Sequence, residues 1–228
     1  MLEGKLAVAT AQHFGVAGSG KQIVLDYRHG ALSKVAEIPT EDGVFDCAWS
    51  ESVAHHLVFA SGDGSLTLWD VKDNKVLRKY QEHTAEVYAV DWNLTTKESF
   101  ISGAWDNAIK LWHPDFEQSI RTFNEHTSCI YSTIWHPRDP DIFASTSGDC
   151  TLKIWDTNDR KSTQTIKAHD YEILTCDWNK YDRNQIITGS VDKTIKGWDL
   201  RNTAQAVFTL SGLFCLSVYN HISAYMGY

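Results

Sequence analysis

The sequence predicts an all-β fold made of repeated four-stranded sheets, and a repeat of 43 residues is the first observation behind this prediction. At that shift the chain aligns two tryptophan series, one aspartate series and one histidine series with itself. The members are Trp49, Trp92, Trp135 and Trp178; Trp69, Trp112, Trp155 and Trp198; Asp63, Asp106, Asp149 and Asp192; and His83, His126 and His169. A constant period of this size indicates units that each pack on the next.

Short β-type segments within each period are the second observation. One period holds the segments 87–92, 100–102, 108–112 and 118–124, separated by turns that contain Gly, Asn or the periodic Asp. Four short strands in a period of roughly 40–45 residues are typical of one blade of a β-propeller. We therefore predict blades over residues 6–38, 44–81, 87–124, 130–168 and 173–211, the first of them partial or divergent.

The last part of the chain departs from this pattern. Residues 212–228 contain no Trp and no Asp, and we interpret them as a divergent C-terminal tail from a splice variant or a misassigned gene end. About five blades would leave sheet faces without a neighbour, which favours aggregation. We expect an incomplete ring that is poorly soluble, or that folds only with a partner or as a swapped oligomer. Closure as a five-bladed ring is the other possibility.

The periodic polar residues predict a structural hydrogen-bond network in each blade. The His precedes the first strand, a Ser or Thr lies on the second, the Asp in the turn and the Trp on the third. The predicted sets are His83, Ser102, Asp106 and Trp112; His126, Ser145, Asp149 and Trp155; and His169, Thr188, Asp192 and Trp198. The blade at 44–81 has Thr40 at the His position and Phe59 at the Ser position, so its network should be weaker.

The charge and cysteine content indicate which classes of partner and which cellular environment suit the chain. The net charge is −8 and the pI about 5.6, which argues against nucleic acid and favours a cationic peptide. Five cysteines without zinc-type spacing suggest reduced thiols in an intracellular protein. We expect a soluble chain, without a signal peptide and without insertion into a membrane.

Three chemical interpretations are considered and rejected. A Ser-His-Asp hydrolase site occurs once in an enzyme, whereas this set recurs in three blades. The histidines of successive blades cannot converge on one zinc ion. The run from Gly15 to Lys21 matches a phosphate-binding loop, but Gln22 replaces the Mg²⁺-binding hydroxyl and a strand follows where a helix is required. We expect no enzymatic activity, no metal site and no cofactor.

The period of 43 residues with its recurring Trp-Asp pair is typical of WD repeats. Beyond this general pattern, several segments are similar to the receptors for type 2 peroxisomal targeting signals, a family of peroxins. They include ATAQHFG at 9–15, GVFD at 43–46, SGDGSL at 61–66, EVYAVDW at 86–92, IYSTIW at 130–135, ILTCDW at 173–178 and GWDLRN at 197–202. The likeness extends from about residue 6 to residue 210. The non-repeating phrases, such as 9–15, make it more specific than the WD elements alone.

The resemblance implies a cytosolic receptor that shuttles to the peroxisome. Its cargo would be matrix proteins that carry an N-terminal signal of the form R/K-L-x5-H/Q-L, a basic amphipathic helix. A peroxin co-receptor and docking peroxins would be its other partners. Members of the family resemble a closed ring of seven blades, so the five units here would be an incomplete copy.

No motif marks the peptide site, so it is predicted from geometry. The starts of the innermost strands should surround one mouth of the central channel, and an apolar collar with acidic neighbours would suit a basic helix. The candidate residues are Asp42, Phe45, Glu86, Tyr88, Trp105, Tyr131 and Glu172. The alternative is that the aromatic residues only seal the channel.

Two further interpretations of function stay open. The chain could be a general WD-repeat scaffold that joins the proteins of another complex, or a truncated isoform without function. A pull-down with the signal peptide would separate a receptor from a scaffold.

Overall fold

The computed structural model describes residues 4–12 and 18–212. Every element within them is a β-strand, and the strands form five antiparallel sheets. Sheet 1 contains β1 (Lys5–Ala11), β2 (Gly20–Arg28) and β3 (Ala31–Thr40). Sheet 2 contains β4 (Val44–Trp49), β5 (His56–Ser61), β6 (Leu66–Asp70) and β7 (Lys75–Tyr80). Sheet 3 contains β8 (Val87–Trp92), β9 (Phe100–Ala104), β10 (Ile109–Trp112) and β11 (Arg121–Phe123).

The last two sheets follow the same plan. Sheet 4 contains β12 (Ile130–Trp135), β13 (Ile142–Ser147), β14 (Thr151–Asp156) and β15 (Ser162–Lys167). Sheet 5 contains β16 (Ile173–Trp178), β17 (Gln185–Ser190), β18 (Thr194–Asp199) and β19 (Phe208–Ser211). Strands that are consecutive in the chain are neighbours in each sheet, so every sheet is a simple meander. Short strands joined by tight turns make this the lowest-cost connection for the chain.

The hydrophobic core lies between the sheets and not within any one of them. Four clusters of buried residues each join two consecutive sheets. Between sheets 2 and 3, for example, Leu68 and Tyr80 pack with Trp92, Phe100 and Trp112. Because one sheet cannot bury its apolar face alone, each blade is stabilised by the next, as in other repeat architectures.

Two carboxylates also connect neighbouring sheets through the backbone. Asp46 on β4 accepts a hydrogen bond from the backbone N–H of Val90 on β8, with 2.9 Å between N and Oδ2. Asp91 on β8 accepts one from Trp135 N on β12 at 2.7 Å. The inner edges of β8 and β12 have no further strand to pair with, so these side chains satisfy donors that would otherwise be left free.

The two ends of the described array are open. Ile101 on β9 is fully buried, whereas Ile187, two repeat periods later on β17, is 43% exposed. Phe208 and Leu210 on β19 are also largely exposed. No cluster joins sheet 1 to sheet 5 within residues 4–12 and 18–212. The predicted fold class, propeller blades in an incomplete ring, is confirmed.

Three sequence-based expectations concern the ends of the chain. The first unit has three strands among the described residues, in keeping with its expected divergence. The segment 20–28 is the strand β2, as the argument against a phosphate-binding loop requires, while residues 13–17 of that loop lie outside the described part. The tail from 213 to 228 also lies outside it.

The pair Ile101 and Ile187 tests the dependence of stability on the neighbouring sheet. Ile101→Ala should lower the free energy of unfolding by about 2–5 kcal/mol, since it leaves a cavity between two sheets. Ile187→Ala, at the same position of a blade with an open face, should cost less than about 1 kcal/mol. Urea denaturation followed by tryptophan fluorescence measures both, and equal losses would contradict the open face.

Candidate peptide-binding site

The polar set of sheet 3 forms a continuous chain of hydrogen bonds. Trp112 Nε1 donates to Ser102 Oγ at 2.8 Å, and Ser102 Oγ lies 2.8 Å from His83 Nε2. His83 Nδ1 lies 2.9 Å from Asp106 Oδ2. The indole N–H can only donate and the carboxylate only accepts, so a neutral His83 with its proton on Nδ1 completes the chain, with Ser102 donating to Nε2.

The next two blades repeat this geometry. In sheet 4, His126 lies 2.7 Å from both Asp149 and Ser145, and Trp155 donates to Ser145 at 2.8 Å. In sheet 5, His169 lies 2.8 Å from both Asp192 and Thr188, and Trp198 donates to Thr188 at 3.0 Å. The structure thus brings together all twelve residues that the sequence groups into the three sets.

Sheet 2 lacks the network. Phe59 replaces the hydroxyl, and Trp69 Nε1 is buried without a hydrogen-bond partner among the described residues. Asp63 bonds instead to Ser65 and to the ammonium group of Lys79. Thr40, at the His position, donates to the carbonyl of Asp42 at 2.6 Å. The expected weakening has its physical cause here, because a buried indole N–H without an acceptor costs free energy.

The network also positions the entrance to each inner strand. Asp106 Oδ2 accepts from Thr84 N as well as from His83, and its Oδ1 accepts from Ala108 N. One carboxylate therefore ties the segment before β8 to the turn between β9 and β10. Asp149 makes the matching bonds to Thr127 N and Thr151 N one blade later.

A β-bulge occurs at the same place in the first strand of each of sheets 2 to 5, which we call the inner strand. The register shifts between Val44 and Asp46 and at the three equivalent positions of β8, β12 and β16. The residues inside these bulges are Phe45, Tyr88, Tyr131 and Leu174. A bulge redirects a side chain away from the regular alternation of the strand, so four equivalent side chains are turned out of their sheets at one end of the array.

Three of these side chains form an aromatic cluster with Trp105. Tyr88 stacks on Phe45, with ring centroids 4.2 Å apart, and on Trp105, with centroids 4.7 Å apart. Tyr131 meets both Tyr88 and Trp105 edge to face, at 6.1 and 6.0 Å. We call Phe45, Tyr88, Trp105 and Tyr131 the aromatic collar. All four are half-buried, so each shows part of its ring to solvent.

Acidic groups border the collar. Tyr131 donates its hydroxyl to the carboxylate of Glu172 at 3.2 Å, and Glu172 is exposed. The backbone carbonyl of Glu86 accepts from Trp105 N at 2.9 Å, which sets the half-buried Glu86 beside the collar. Asp42 is half-buried and its Oδ1 accepts from Gly43 N. Aromatic faces with carboxylates nearby offer a cation two favourable interactions, with the ring quadrupole and with full negative charge.

The indole N–H of Trp105 is a polar group within the collar. Trp105 Nε1 is buried and has no hydrogen-bond partner among the described residues. The equivalent positions in sheets 2 and 4 are Gly62 and Gly148, so the indole is particular to sheet 3. A ligand acceptor that reached this N–H would satisfy it.

Two residues at the same end of the array, Tyr171 and Val191, are not among those predicted from the sequence. Tyr171, which is 62% exposed, lies three repeat periods after Asp42. Val191, 40% exposed, lies two periods after Trp105. The 43-residue period predicts both positions when it is applied to Asp42 and Trp105 as well as to the residues of the inner strands.

Comparison with known proteins agrees with the blade geometry. The family WD40 (WD domain, G-beta repeat) matches residues 74–113, 117–156 and 160–199, more than half of the chain. The chain belongs to the WD-repeat family.

Similarity to named proteins is more specific. The chain is 50% identical to a peroxisomal targeting signal 2 receptor of Dictyostelium discoideum over 100 residues, 42% of this chain and 32% of that protein. It is 50% identical to the mouse protein of the same name over 98 residues, 42% of this chain and 31% of the relative. It is 46% identical to peroxisome biogenesis protein 7 of Arabidopsis thaliana over 102 residues, 42% of this chain and 32% of that protein. The match spans about a third of the length of these relatives.

One testable consequence concerns the hydrogen-bond network. Ser102→Ala leaves the indole N–H of Trp112 and Nε2 of His83 without their partner, so the free energy of unfolding should fall by about 1–3 kcal/mol. Ser33→Ala, at an exposed position, should change it by less than about 0.5 kcal/mol. Urea denaturation gives both values. An unchanged stability of the Ser102 variant would contradict a structural role.

A second consequence concerns pH. Burial lowers the pKa of His169, although the bond to Asp192 opposes this. Burial raises the pKa of Asp192, but hydrogen bonds from Thr194 and His169 outweigh it, so the pKa of Asp192 is also below its ordinary value. Both groups therefore bind protons more readily when unfolded, and each stabilises the fold above its unfolded pKa. Stability should fall as the pH drops below about 6.5 and again below about 4. Denaturation between about pH 7.5 and pH 2 measures both losses, and a stability that rises on acidification would be the contrary result.

Proposed function

We propose that this chain is a non-enzymatic receptor that binds the type 2 peroxisomal targeting signal of matrix proteins. The observation that carries the proposal is the aromatic collar, built on equivalent bulges of neighbouring blades and bordered by Glu86 and Glu172. The names of the relatives support the same role, since they are targeting signal receptors. The stretch they share with this chain is partial, so the activity rests on the collar as much as on the similarity.

Binding would divide between apolar and charged contacts. The signal is a short amphipathic helix whose apolar residues would pack on the half-buried rings of Phe45, Tyr88 and Tyr131. Its basic residue would pair with Glu86 or Glu172, which are partly exposed and need little desolvation to be reached. Tyrosine and tryptophan are enriched among the residues that contribute most to binding energy at protein interfaces.

Burial of the repeated hydroxyl groups favours binding over catalysis. In the Ser-His-Asp arrangements of sheets 3 and 4, the hydroxyl is held between an indole and an imidazole and is fully buried. No helix within residues 4–12 and 18–212 has the length and apolar character to cross a bilayer. A net charge of −8 suits a basic ligand.

The partners follow from the receptor role. The cargo would be matrix proteins with the type 2 signal, and a peroxin co-receptor and docking peroxins would deliver the complex from the cytosol to the peroxisome. The second candidate is a WD-repeat scaffold for a different complex, favoured by the open faces of sheets 1 and 5, which need covering. A pull-down separates the two, because only a receptor retains a peptide of the form R-L-x5-H-L.

A charge-reversal pair tests the site. Glu86→Lys with Glu172→Lys should weaken binding of a fluorescent signal peptide at least about tenfold, since two attractive contacts become repulsive. The matched control is Glu98→Lys with Glu117→Lys, which changes the net charge equally but at turns on the opposite end of sheet 3. Its affinity should stay within about threefold of the unmodified chain, because exposed charges are screened over this distance.

Fluorescence anisotropy with and without the co-receptor measures these affinities. Equal losses in the two charge variants would mean that net charge and not the collar controls binding. Absence of peptide binding by the unmodified chain, with its circular dichroism showing folded sheet, would reject the receptor and leave the scaffold or a non-functional isoform.

A further inference from the structure

A second group of reactive side chains lies at the far end of sheet 2. Strand β4 begins at the collar and runs away from it, and β5 starts where that run has turned back. His55 and His56 lie at this turn, and Asp70 ends β6 beside them. The group is separated from the collar by the length of a strand, so it is independent of the proposed peptide site.

The backbone holds the three residues in place. His56 is the ladder partner of Asp70. The carbonyl of His55 accepts from Val71 N at 2.9 Å, and His56 N donates to Val53 O at 2.9 Å. The turn itself is closed by Ser50, whose hydroxyl accepts from two backbone amides. The spacing of His56 and Asp70 therefore belongs to the sheet, and the bond to Val71 ties the turn residue His55 to the same place.

The imidazoles converge although they are adjacent in sequence. Consecutive residues of a regular strand point to opposite faces, but His55 lies in the turn just before β5 and escapes that rule. Nε2 of His55 lies 3.5 Å from Asp70 Oδ2, and Nε2 of His56 lies 3.8 Å from the same oxygen. One ligand atom from each of the three residues falls within 4.8 Å of the other two.

The carboxylate of Asp70 is divided between two tasks. Its Oδ1 accepts from Lys72 N and Asp73 N, which closes the turn after β6, and its Oδ2 faces the histidines. Asp70 is only 6% exposed, so the charge on Oδ2 is poorly hydrated. The equivalent carboxylate three blades later, Asp199, is neutralised by Arg201 at 2.6 Å. The ion pairs of Asp70 in the described part of the chain are with His55 and His56 alone.

These distances do not fit simple hydrogen bonds. The His–Asp pairs of the three networks lie at 2.7 to 2.9 Å, so this fold makes such bonds at normal length where they are structural. Around a tetrahedral zinc ion, by contrast, ligands about 2.0–2.2 Å from the metal are separated from one another by about 3.3–3.6 Å. The two separations from Asp70 Oδ2, 3.5 and 3.8 Å, are close to that edge, and all three ligand atoms lie within 4.8 Å of one another.

We propose that His55, His56 and Asp70 form a three-ligand site for Zn²⁺, with water in the fourth position. Two imidazole nitrogens and one carboxylate oxygen are a ligand set that zinc accepts. The ion would neutralise the buried Oδ2 and tie the start of β5 to the end of β6. Its role would be to stabilise sheet 2, the four-stranded blade whose hydrogen-bond network is incomplete.

Isothermal titration of the full chain with ZnSO₄ tests the site, against the variant His55→Gln/His56→Gln. The unmodified chain should bind one Zn²⁺ ion more tightly than any further ions that its surface takes up. The variant should bind at least about tenfold more weakly, since losing even an outer-shell partner of a metal costs 10–100-fold. The control His29→Asn/His113→Gln removes two histidines outside the group and should bind as the unmodified chain does.

A second readout reports the ligand geometry. Co²⁺ in a tetrahedral site absorbs visible light strongly, so the unmodified chain and the control should show that band and the His55/His56 variant should lack it. Zinc should also raise the denaturation midpoint of the unmodified chain only. If the double variant fails to fold by circular dichroism, His55→Gln alone, at a half-exposed turn position, replaces it. Equal zinc affinity in the variant and the unmodified chain, or no measurable binding to the unmodified chain, would overturn the proposal.

Discussion

Burial of apolar side chains between successive sheets is the interaction on which the rest of the structure depends. Residues such as Trp92 and Phe100 are covered only because the neighbouring blade presents Leu68 and Tyr80 to them. A single four-stranded sheet has no interior of its own, so the position of each strand end is defined by the sheet next to it. The collar and the proposed zinc ligands lie near the ends of strands that this packing holds in register, and the networks join neighbouring strands of one sheet.

The hydrogen-bonded sets fix the position of the segment that leads into each inner strand. Each places one aspartate where it holds both the segment before an inner strand and the turn between the second and third strands. The bulge that follows turns Tyr88 and Tyr131 out of their sheets. Because the same geometry recurs in neighbouring blades, side chains far apart in sequence meet as one surface. An aromatic cluster thus arises from a structural repeat, together with the residue types at the bulges and Trp105 in the turn after β9.

Departures from the repeat are where individual chemistry enters. Phe59 removes the hydroxyl from sheet 2 and leaves the indole of Trp69 without an acceptor. The same sheet alone carries adjacent histidines beside its Trp-Asp carboxylate, whereas Asp199 has an arginine there. Trp105 occupies a position that is glycine in two other blades, and it joins the rings of two blades. Function is therefore read more easily from the exceptions than from the period.

The period of 43 residues by itself determined the number of blades, their strands and the membership of the three networks, because equal spacing in a repeat protein places equivalent residues at equivalent points of space. It also indicated Phe45, Tyr88 and Tyr131, through their common offset from the position of the periodic His. Contacts between different repeat positions were decided only by the tertiary structure. The stacking of Trp105 on Tyr88, the bonds from Asp46 and Asp91 to the next sheet, and the convergence of His55, His56 and Asp70 depend on how sheets twist and bulge. Spacing along the chain carries no information on those angles, since they are set by packing between blades.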